Sequence, residues 1–200
     1  MKPLPLLVFT PTAWAKAALA SPVDLLNDHA YLEKKAAANA LELLNRWPEP
    51  QYPRKWLSTL AGIARDESAH LVMVIRFLAK FGGKLSRTHF NPYASTLHKL
   101  VRKGQGTLEL MDRLLIASLI EARSCERFEL LAKPAQENEL SKLYSGLAKS
   151  ERNHYLVFLN LAKLVRQENE VLERWQELLR EEATIIQAQP LGPRMHSGWK

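Results

Sequence analysis

The chain has very little cysteine. Cys125 is the single cysteine among 200 residues, which excludes an internal disulfide framework, a four-cysteine zinc or iron–sulfur site and a Cys-x-x-Cys redox pair. A chain without these groups is typical of the cytosol, and it has to obtain electrons for any redox reaction from a separate partner. We therefore expect a cytoplasmic protein.

Long apolar runs are also missing. No uninterrupted stretch approaches the roughly 18 to 20 apolar residues that a membrane-spanning helix needs. The N-terminus imitates a secretory signal, with Lys2 before an apolar run. That run, Leu4 to Phe9, is short and contains Pro5, and Lys16 follows it where a signal peptide is normally uncharged. We expect neither a cleaved leader nor a membrane partner.

Strand patterns are nearly absent, whereas apolar residues recur at helical spacing along most of the chain. Prolines, glycines and capping residues divide this pattern into segments. The predicted helices cover about residues 12–19, 22–47, 53–82, 107–132, 134–166 and 169–188, and a short helix at 94–102 fits inside an irregular connection, 84–105. Two helical hairpins joined by a long crossover are typical of the ferritin-like four-helix bundle. We expect an all-α fold, one domain over residues 1–200, and a loose C-terminal tail from about residue 190.

Two Glu-x-x-His pairs stand in the predicted long helices, and a lone glutamate precedes each pair at a similar distance. The spacing i, i+3 places Glu and His one turn apart on one helix face. Two such pairs would arise by chance roughly one time in ten, so spacing alone does not establish a site. The six residues are Glu33, Glu67, His70, Glu121, Glu151 and His154.

The helix faces discriminate better than the spacing. Most neighbours of the four glutamates at three, four and seven residues are apolar or alanine, as on a core-facing stripe. By the same test Glu42 and Glu126 are assigned to solvated faces, because Glu42 neighbours Asn39, Asn45 and Arg46, and Glu126 neighbours Arg123 and Glu129. Cys125, one turn after Glu121, is interpreted as a small buried filler and not as a ligand.

Four carboxylates converging in one core require compensating cations, since each unpaired buried carboxylate costs several kcal/mol. Two divalent ions balance the four negative charges, and two neutral imidazoles add none. Glutamate and histidine without thiolate favour iron or manganese over structural zinc. Oxygen activation, peroxide disproportionation and iron oxidation all remain open, because the ligand type does not choose among them.

Four segments of the chain resemble a known family. These segments are Leu32-Glu33-Lys34-Lys35-Ala36-Ala37, Ala64-Arg65-Asp66-Glu67-Ser68-Ala69-His70, Glu121-Ala122-Arg123-Ser124-Cys125-Glu126-Arg127-Phe128 and Ser150-Glu151-Arg152-Asn153-His154-Tyr155. The chain resembles, over nearly its full length, the bacterial tRNA hydroxylases that act on 2-methylthio-N6-isopentenyladenosine beside the anticodon. The resemblance implies a di-iron monooxygenase that hydroxylates the isopentenyl side chain with O2 and electrons from a separate reductase. It also implies that the six residues above hold iron, with no further catalytic residue.

The net charge of +7 fits a tRNA partner, because Lys and Arg neutralise phosphates. The predicted tRNA contacts are Arg54, Lys55, Lys84, Arg87, Lys99, Arg102 and Lys103. An aromatic side chain, from His89, Phe90 or Tyr93, would stack on an unstacked base of the anticodon loop. A ferritin-like iron-binding or iron-oxidising protein, or a peroxide-reducing one, is the alternative.

Overall fold

The computed structural model describes residues 3–133 and 139–199 of the chain. The described residues form seven helices and no strand, so the all-α prediction is confirmed. The helices are α1 Thr12–Leu19, α2 Pro22–Leu44, α3 Arg54–Lys80, α4 Pro92–His98, α5 Thr107–Leu131, α6 Glu139–Val165 and α7 Glu168–Gln187. None of these helices is long and apolar enough to cross a membrane. The helix start predicted at Pro134 lies outside the described residues.

Proline and glycine set several of the helix ends. Pro22 is the first residue of α2, where its missing N–H costs nothing and its fixed φ suits a helix. Gly82 follows α3 with φ +75°, a left-handed conformation that favours glycine. Asn91 caps α4 by accepting a hydrogen bond from the backbone N–H of Ala94 at 3.4 Å, and Pro92 occupies the next position. The local sequence therefore determines where these helices begin and end.

The chain divides into two compact units, and the smaller one is Pro22–Phe90. It consists of α2, α3 and the residues that follow α3. Two tryptophans close the turn between the helices: the Trp47 and Trp56 rings lie 5.0 Å apart, and Trp56 Nε1 donates to the Leu44 carbonyl at 3.2 Å. Small buried residues on α2, Ala30, Ala37 and Ala40, allow α3 to approach closely.

A return segment, residues 84–90, runs back from the end of α3 along α2. Asn27 holds its start by donating to the Lys84 carbonyl at 2.7 Å and accepting from the Ser86 N–H at 3.1 Å. Tyr31 donates to the Ser86 carbonyl at 2.5 Å, and its ring stacks on His89. The connection predicted as irregular is therefore fixed to α2 by side chains.

The larger unit contains the residues up to Ser21 and those from Asn91 onward. Its centre is the α5–α6 hairpin, with α1, α4 and α7 also packed against α5. Helix α5 is buried on nearly every side, and its buried residues include Asp112, Arg123, Glu126 and Arg127 as well as apolar side chains. Such a helix has little solvated surface, which explains its weak amphipathic pattern.

The N-terminal segment is part of the core of the larger unit. Leu4 and Leu6 are buried in one cluster with Ala122, Cys125 and Tyr155. Nearby, Thr10 donates both its backbone N–H and its hydroxyl to the Glu126 carboxylate, at 2.6 and 2.9 Å. These residues, whose sequence imitates a secretory signal, support the fold.

The C-terminal tail is packed and not loose, which corrects the prediction from sequence. Met195, His196 and Ser197 are buried. The Arg127 guanidinium lies 4.0 Å from the Trp14 ring centre and donates to the Ser197 carbonyl at 2.9 Å. The prediction took the chain after Pro190 to be loose because the last helix ends there, whereas His196 and Ser197 bond to side chains of α1 and α5.

Candidate metal centre

The first set of predicted ligands lies within the smaller unit. Glu33 comes from the middle of α2, and Glu67 and His70 come from the middle of α3, one turn apart. All three side chains are buried. His70 Nδ1 lies 3.7 Å from Glu33 Oε2 and 3.4 Å from Glu67 Oε2, and one ligand atom of each residue lies within 4.8 Å of the others. The structure therefore brings these three residues together.

The second set lies within the larger unit and repeats the same arrangement. Glu121 comes from α5, and Glu151 and His154 come from α6. These residues are also buried, with ligand atoms within 4.8 Å of one another. His154 Nδ1 lies 3.2 Å from Glu151 Oε2. Each hairpin thus presents two carboxylates and one imidazole.

The chemistry of these donors fits a metal ion in each set. Two buried carboxylates in one place repel each other and lose their hydration, and a divalent cation offsets both costs. Oxygen donors with one imidazole and no thiolate suit iron or manganese. Two such sets with one divalent ion each are electrically balanced. The residues present therefore fit the implied metals.

His29 contacts the first set of ligands and was not predicted from the sequence. It is fully buried on α2, and its Nε2 lies 2.5 Å from Glu33 Oε1. The spacing of four residues, His29 to Glu33, places both on one helix face and is a signal that the sequence already contains. A histidine bonded to a ligating carboxylate fixes the orientation of that carboxylate.

Glu126 corrects a prediction, because it is buried and not on a solvated face. Its carboxylate accepts from Thr10 and lies 3.2 Å from Arg123 Nη1. Arg123 in turn donates from Nε to Glu182 on α7 at 2.8 Å. Arg123, one of the polar neighbours that suggested solvent, is a buried ion-pair partner of Glu126. The family-like segment from Glu121 to Phe128 is therefore largely a buried charge network.

The predicted tRNA contacts within the smaller unit do not form one patch. Arg54 and Lys55 begin α3, whereas Lys84 and Arg87 follow its other end. A helix of this length spans about 40 Å, so the two pairs lie far apart. All four side chains are exposed.

Of the predicted contacts in the larger unit, Arg102 has a structural partner. Its guanidinium donates to the buried carboxylate of Asp112 at 2.7 and 2.9 Å, and Arg174 donates to the same carboxylate. These hydrogen bonds hold the pKa of Asp112 below its ordinary value, against the effect of burial. Lys99 and Lys103 are exposed. Arg102 therefore stabilises the larger unit. None of its contacts in the structure supports a role in tRNA binding.

Only one of the three aromatic candidates for base stacking is accessible. Tyr93 is fully buried and donates to Glu182 at 2.9 Å, and burial together with the Glu182 charge raises its pKa well above the ordinary value. His89 is held between Tyr31 and Asp28. Phe90 is 71% exposed. The stacking prediction is therefore wrong for Tyr93 and His89 and stays open for Phe90.

Cys125 is a buried thiol, as the sequence predicts. Its Sγ lies 3.2 Å from the Ala148 carbonyl. Burial, together with the negative charge of Glu129, raises the pKa of the thiol to about 12. The side chain is therefore protonated at neutral pH and cannot serve as a thiolate ligand or nucleophile without structural change.

Two helical hairpins, each with a buried Glu and a buried Glu-x-x-His, define an all-α protein with buried carboxylate and histidine clusters that are compatible with metal binding. Within that class the chain belongs to the tRNA-(MS2IO6A)-hydroxylase (MiaE) family, whose family model matches residues 4–197. The resemblance seen in the sequence is confirmed by this match.

Two relatives carry the name tRNA 2-(methylsulfanyl)-N(6)-isopentenyladenosine(37) hydroxylase. The protein from Pseudomonas putida is 38% identical over 190 residues, which cover 94% of this chain and 90% of that protein. The protein from Salmonella typhimurium is 27% identical, with 94% of this chain and 86% of that protein covered. Both comparisons extend over nearly the whole chain.

A solved structure is similar in both fold and sequence. It is "Protein 43 with aldehyde deformylating oxygenase activity from Synechococcus", with a TM-score of 0.87 and 32% identity over 96% of each chain. The ferritin-like fold class predicted from the sequence is confirmed by this likeness.

Proposed function

We propose that this protein is an enzyme that hydroxylates the isopentenyl side chain of 2-methylthio-N6-isopentenyladenosine beside the anticodon of tRNA. The observation that carries the proposal is the family match over residues 4–197, in a chain whose two hairpins each present a buried Glu and Glu-x-x-His set. The names of the two relatives support the same substrate.

We further propose that the two sets hold two iron ions in one dinuclear centre. Glu33, Glu67 and His70 would supply one set of ligands, and Glu121, Glu151 and His154 the other. When bound, the iron pair supplies the two-electron reaction with O2 that an organic side chain cannot perform. Four carboxylates against two divalent ions leave no net charge, which supports this stoichiometry.

The remaining residues of the site hold and shield the ligands. His29 orients Glu33 through its Nε2 contact, so one carboxylate oxygen is directed by the protein. The alanines of α2 pack closely with α3, and this dense packing limits the movement of Glu67 and His70. Burial of all six ligands keeps bulk water from the reacting atoms.

Electrons for the reaction have to come from another protein. Hydroxylation places one oxygen atom of O2 into a C–H bond and releases the other as water, which consumes two electrons and two protons. The one cysteine of the chain is buried with its thiol pKa raised to about 12, so it provides no thiol relay. We propose a separate reductase as donor and the cytoplasm as the site of reaction, since tRNA is modified there.

Mass analysis of nucleosides tests the proposal. Iron-loaded protein is incubated with tRNA that carries the isopentenyl group, together with O2 and a chemical reductant, and the tRNA is digested. The expected product is the nucleoside with one added oxygen atom, labelled when the gas is isotopic O2. Glu67→Ala is the inactive control. No mass gain in the presence of bound iron would overturn the proposal.

The likeness to the Synechococcus protein favours one second candidate, the consumption of an aldehyde. The same iron-loaded protein is supplied with a long-chain aldehyde and reductant, and the headspace is analysed for hydrocarbon. We expect none above the level of the Glu67→Ala control, since the relatives that are named by substrate act on tRNA. Hydrocarbon formation at a rate comparable to tRNA hydroxylation would establish the second activity.

A further inference from the structure

Phe90 is an exposed aromatic residue in an unusual position. Its side chain is 71% exposed, more than any other large hydrophobic side chain in the described part of the chain. Exposing a phenyl ring to water costs free energy in proportion to its apolar surface area. An exposed residue of this kind therefore often marks a binding surface. Phe90 ends the return segment, residues 84–90.

The backbone that carries Phe90 is held firmly. His89, the preceding residue, stacks parallel on Tyr31 with ring centres 4.7 Å apart. Its Nε2 lies 2.7 Å from Asp28 Oδ1, and its Nδ1 lies 2.9 Å from Lys35 Nζ. Three α2 side chains thus fix His89, and the exposed ring follows a fixed residue. Preorganisation of this kind lowers the entropic cost of binding a partner.

The sequence on either side of Phe90 contains basic residues and no acidic residue. Residues 68–108 contain seven Lys and Arg and no Asp or Glu. Lys84 and Arg87 belong to the return segment itself and are exposed. A firmly held aromatic ring beside exposed cations is the combination with which proteins bind unpaired nucleotides, since cations hold phosphates and rings stack on bases.

The return segment lies on a defined face of α2 relative to Glu33. Tyr31 and Lys35, which contact His89, lie two residues before and after Glu33. Two residues correspond to about 200° around a helix, so the return segment lies on the face of α2 opposite Glu33 and at the same level along the axis. Phe90 ends this segment, on the side of α2 away from Glu33, so a base that it contacts is not the base whose side chain reaches the metal ligands.

We propose that Phe90 is a stacking platform for an unpaired base of the anticodon loop next to the modified adenosine, with Lys84 and Arg87 holding the adjoining phosphates. This inference rests on the proposed function for the identity of the RNA. It adds a residue that determines the register of the substrate without contacting the metal ligands.

Fluorescence anisotropy of a labelled anticodon stem–loop RNA on the iron-loaded protein tests the proposal. Phe90→Ala is expected to raise the Kd at least about fivefold, since stacking of one base is worth that much or more. Phe90→Trp restores binding because a larger ring stacks as well. Leu85→Ala is the matched control, since Leu85 is 43% exposed in the same segment but is not aromatic.

Two further readouts separate stacking from general attraction. The slope of log Kd against log salt stays the same in Phe90→Ala, because no cation is removed. The same RNA annealed to its complement, with no unpaired base, binds Phe90→Ala and wild type equally. An unchanged Kd for the stem–loop, an equal loss in Leu85→Ala, or an equal loss with the duplex would overturn the proposal.

The outcome is separable from the test of the proposed function. If wild-type protein hydroxylates tRNA while Phe90→Ala binds the stem–loop normally, the stacking role alone is rejected. If Phe90→Ala loses loop binding while wild type adds no oxygen to the nucleoside, the stacking role is supported and the hydroxylase activity is rejected.

Discussion

At the scale of single residues, the contact between His29 and Glu33 gives the first set of ligands its orientation. The imidazole of His29 lies 2.5 Å from Oε1 of Glu33. This contact leaves the other oxygen of the Glu33 carboxylate directed toward the neighbouring ligands. Glu33 Oε2 is the atom that lies 3.7 Å from His70 Nδ1. His29 therefore acts on the site through Glu33.

His29→Gln is expected to weaken iron binding by about 10- to 100-fold, the usual effect of removing a partner of a metal ligand. Competition against a coloured chelator measures this affinity without any turnover. The matched control is His98→Gln, which changes a histidine at the end of α4, outside both sets of ligands. Equal affinities in His29→Gln and His98→Gln would show that His29 does not orient Glu33.

The thiol of Cys125 provides a test of burial. Its folded-state pKa of about 12 exceeds the ordinary value of 9.0, so folding favours the protonated thiol. The stability from this group is complete below about pH 9 and is lost as the pH rises toward 12. We expect alkylation at pH 8 to be much slower in folded protein than in urea-unfolded protein. Comparable rates in both states would contradict the buried position.

At the scale of helices, α5 shows what an amphipathic test cannot detect. The test placed Glu121 in the core, where it is buried, but it assigned Glu126, which is buried as well, to solvent. On a helix that is buried all around, polar side chains are neutralised by partners from distant parts of the chain: Glu126 by Thr10 and Arg123, and Arg123 by Glu182. Sequence periodicity contains no information about those partners.

The Arg123–Glu182 pair connects α5 to α7, and both side chains are fully buried. Glu182→Gln is expected to lower the free energy of unfolding by about 3–5 kcal/mol, because it leaves the buried guanidinium without its main counter-charge. Glu177→Gln, on the same helix, removes a carboxylate that is 53% exposed and paired with Arg174. Its effect is much smaller, since exposed ion pairs contribute little.

Urea unfolding followed by circular dichroism measures both variants of α7. A loss in Glu182→Gln no greater than that in Glu177→Gln would contradict the importance of the buried pair.

Gly198→Ala tests the packing of the C-terminal tail, and Gly146→Ala in α6 serves as its comparison. A Cβ on Gly198 would lie 2.0 Å from the Gln189 carbonyl oxygen, so Gly198→Ala is expected to destabilise by about 1–3 kcal/mol. Gly146, inside α6, has open space around its Cα, and Gly146→Ala is expected to stabilise by about 0.5–1 kcal/mol. Thermal unfolding distinguishes the two. A neutral Gly198→Ala would indicate that the tail is not packed as described.

Helix boundaries were predictable to within a few residues where a local signal exists. α1, residues Thr12–Leu19, and the starts of α2 and α5 match their predicted positions, because proline, threonine or a capping residue marks them. The predicted end of α2 at Trp47 is too late, since Trp47 instead packs on Trp56 across the turn. Long-range packing of this kind does not appear in local sequence.

At the scale of the molecule, the six proposed ligands were identifiable because each lies at helical spacing on an apolar face. His29 was missed because a lone histidine on such a face resembles an ordinary core residue. The return segment was called irregular, which is correct for its backbone, but its fixation by Asn27, Tyr31 and Asp28 required the structure. The geometry of the ligand sets does not identify the substrate, and the family match indicates it.

The central claim is that the two sets of ligands form one iron centre, and the iron content per chain tests it most directly. Wild-type protein reconstituted with Fe(II) and freed of excess metal is expected to hold about two irons per chain. Glu67→Ala, in one set, and Glu151→Ala, in the other, are each expected to lose both irons. In a shared centre, removing one of the four carboxylates leaves both ions without full charge compensation. Retention of one iron by each variant would mean two independent sites, and many irons per wild-type chain would mean storage.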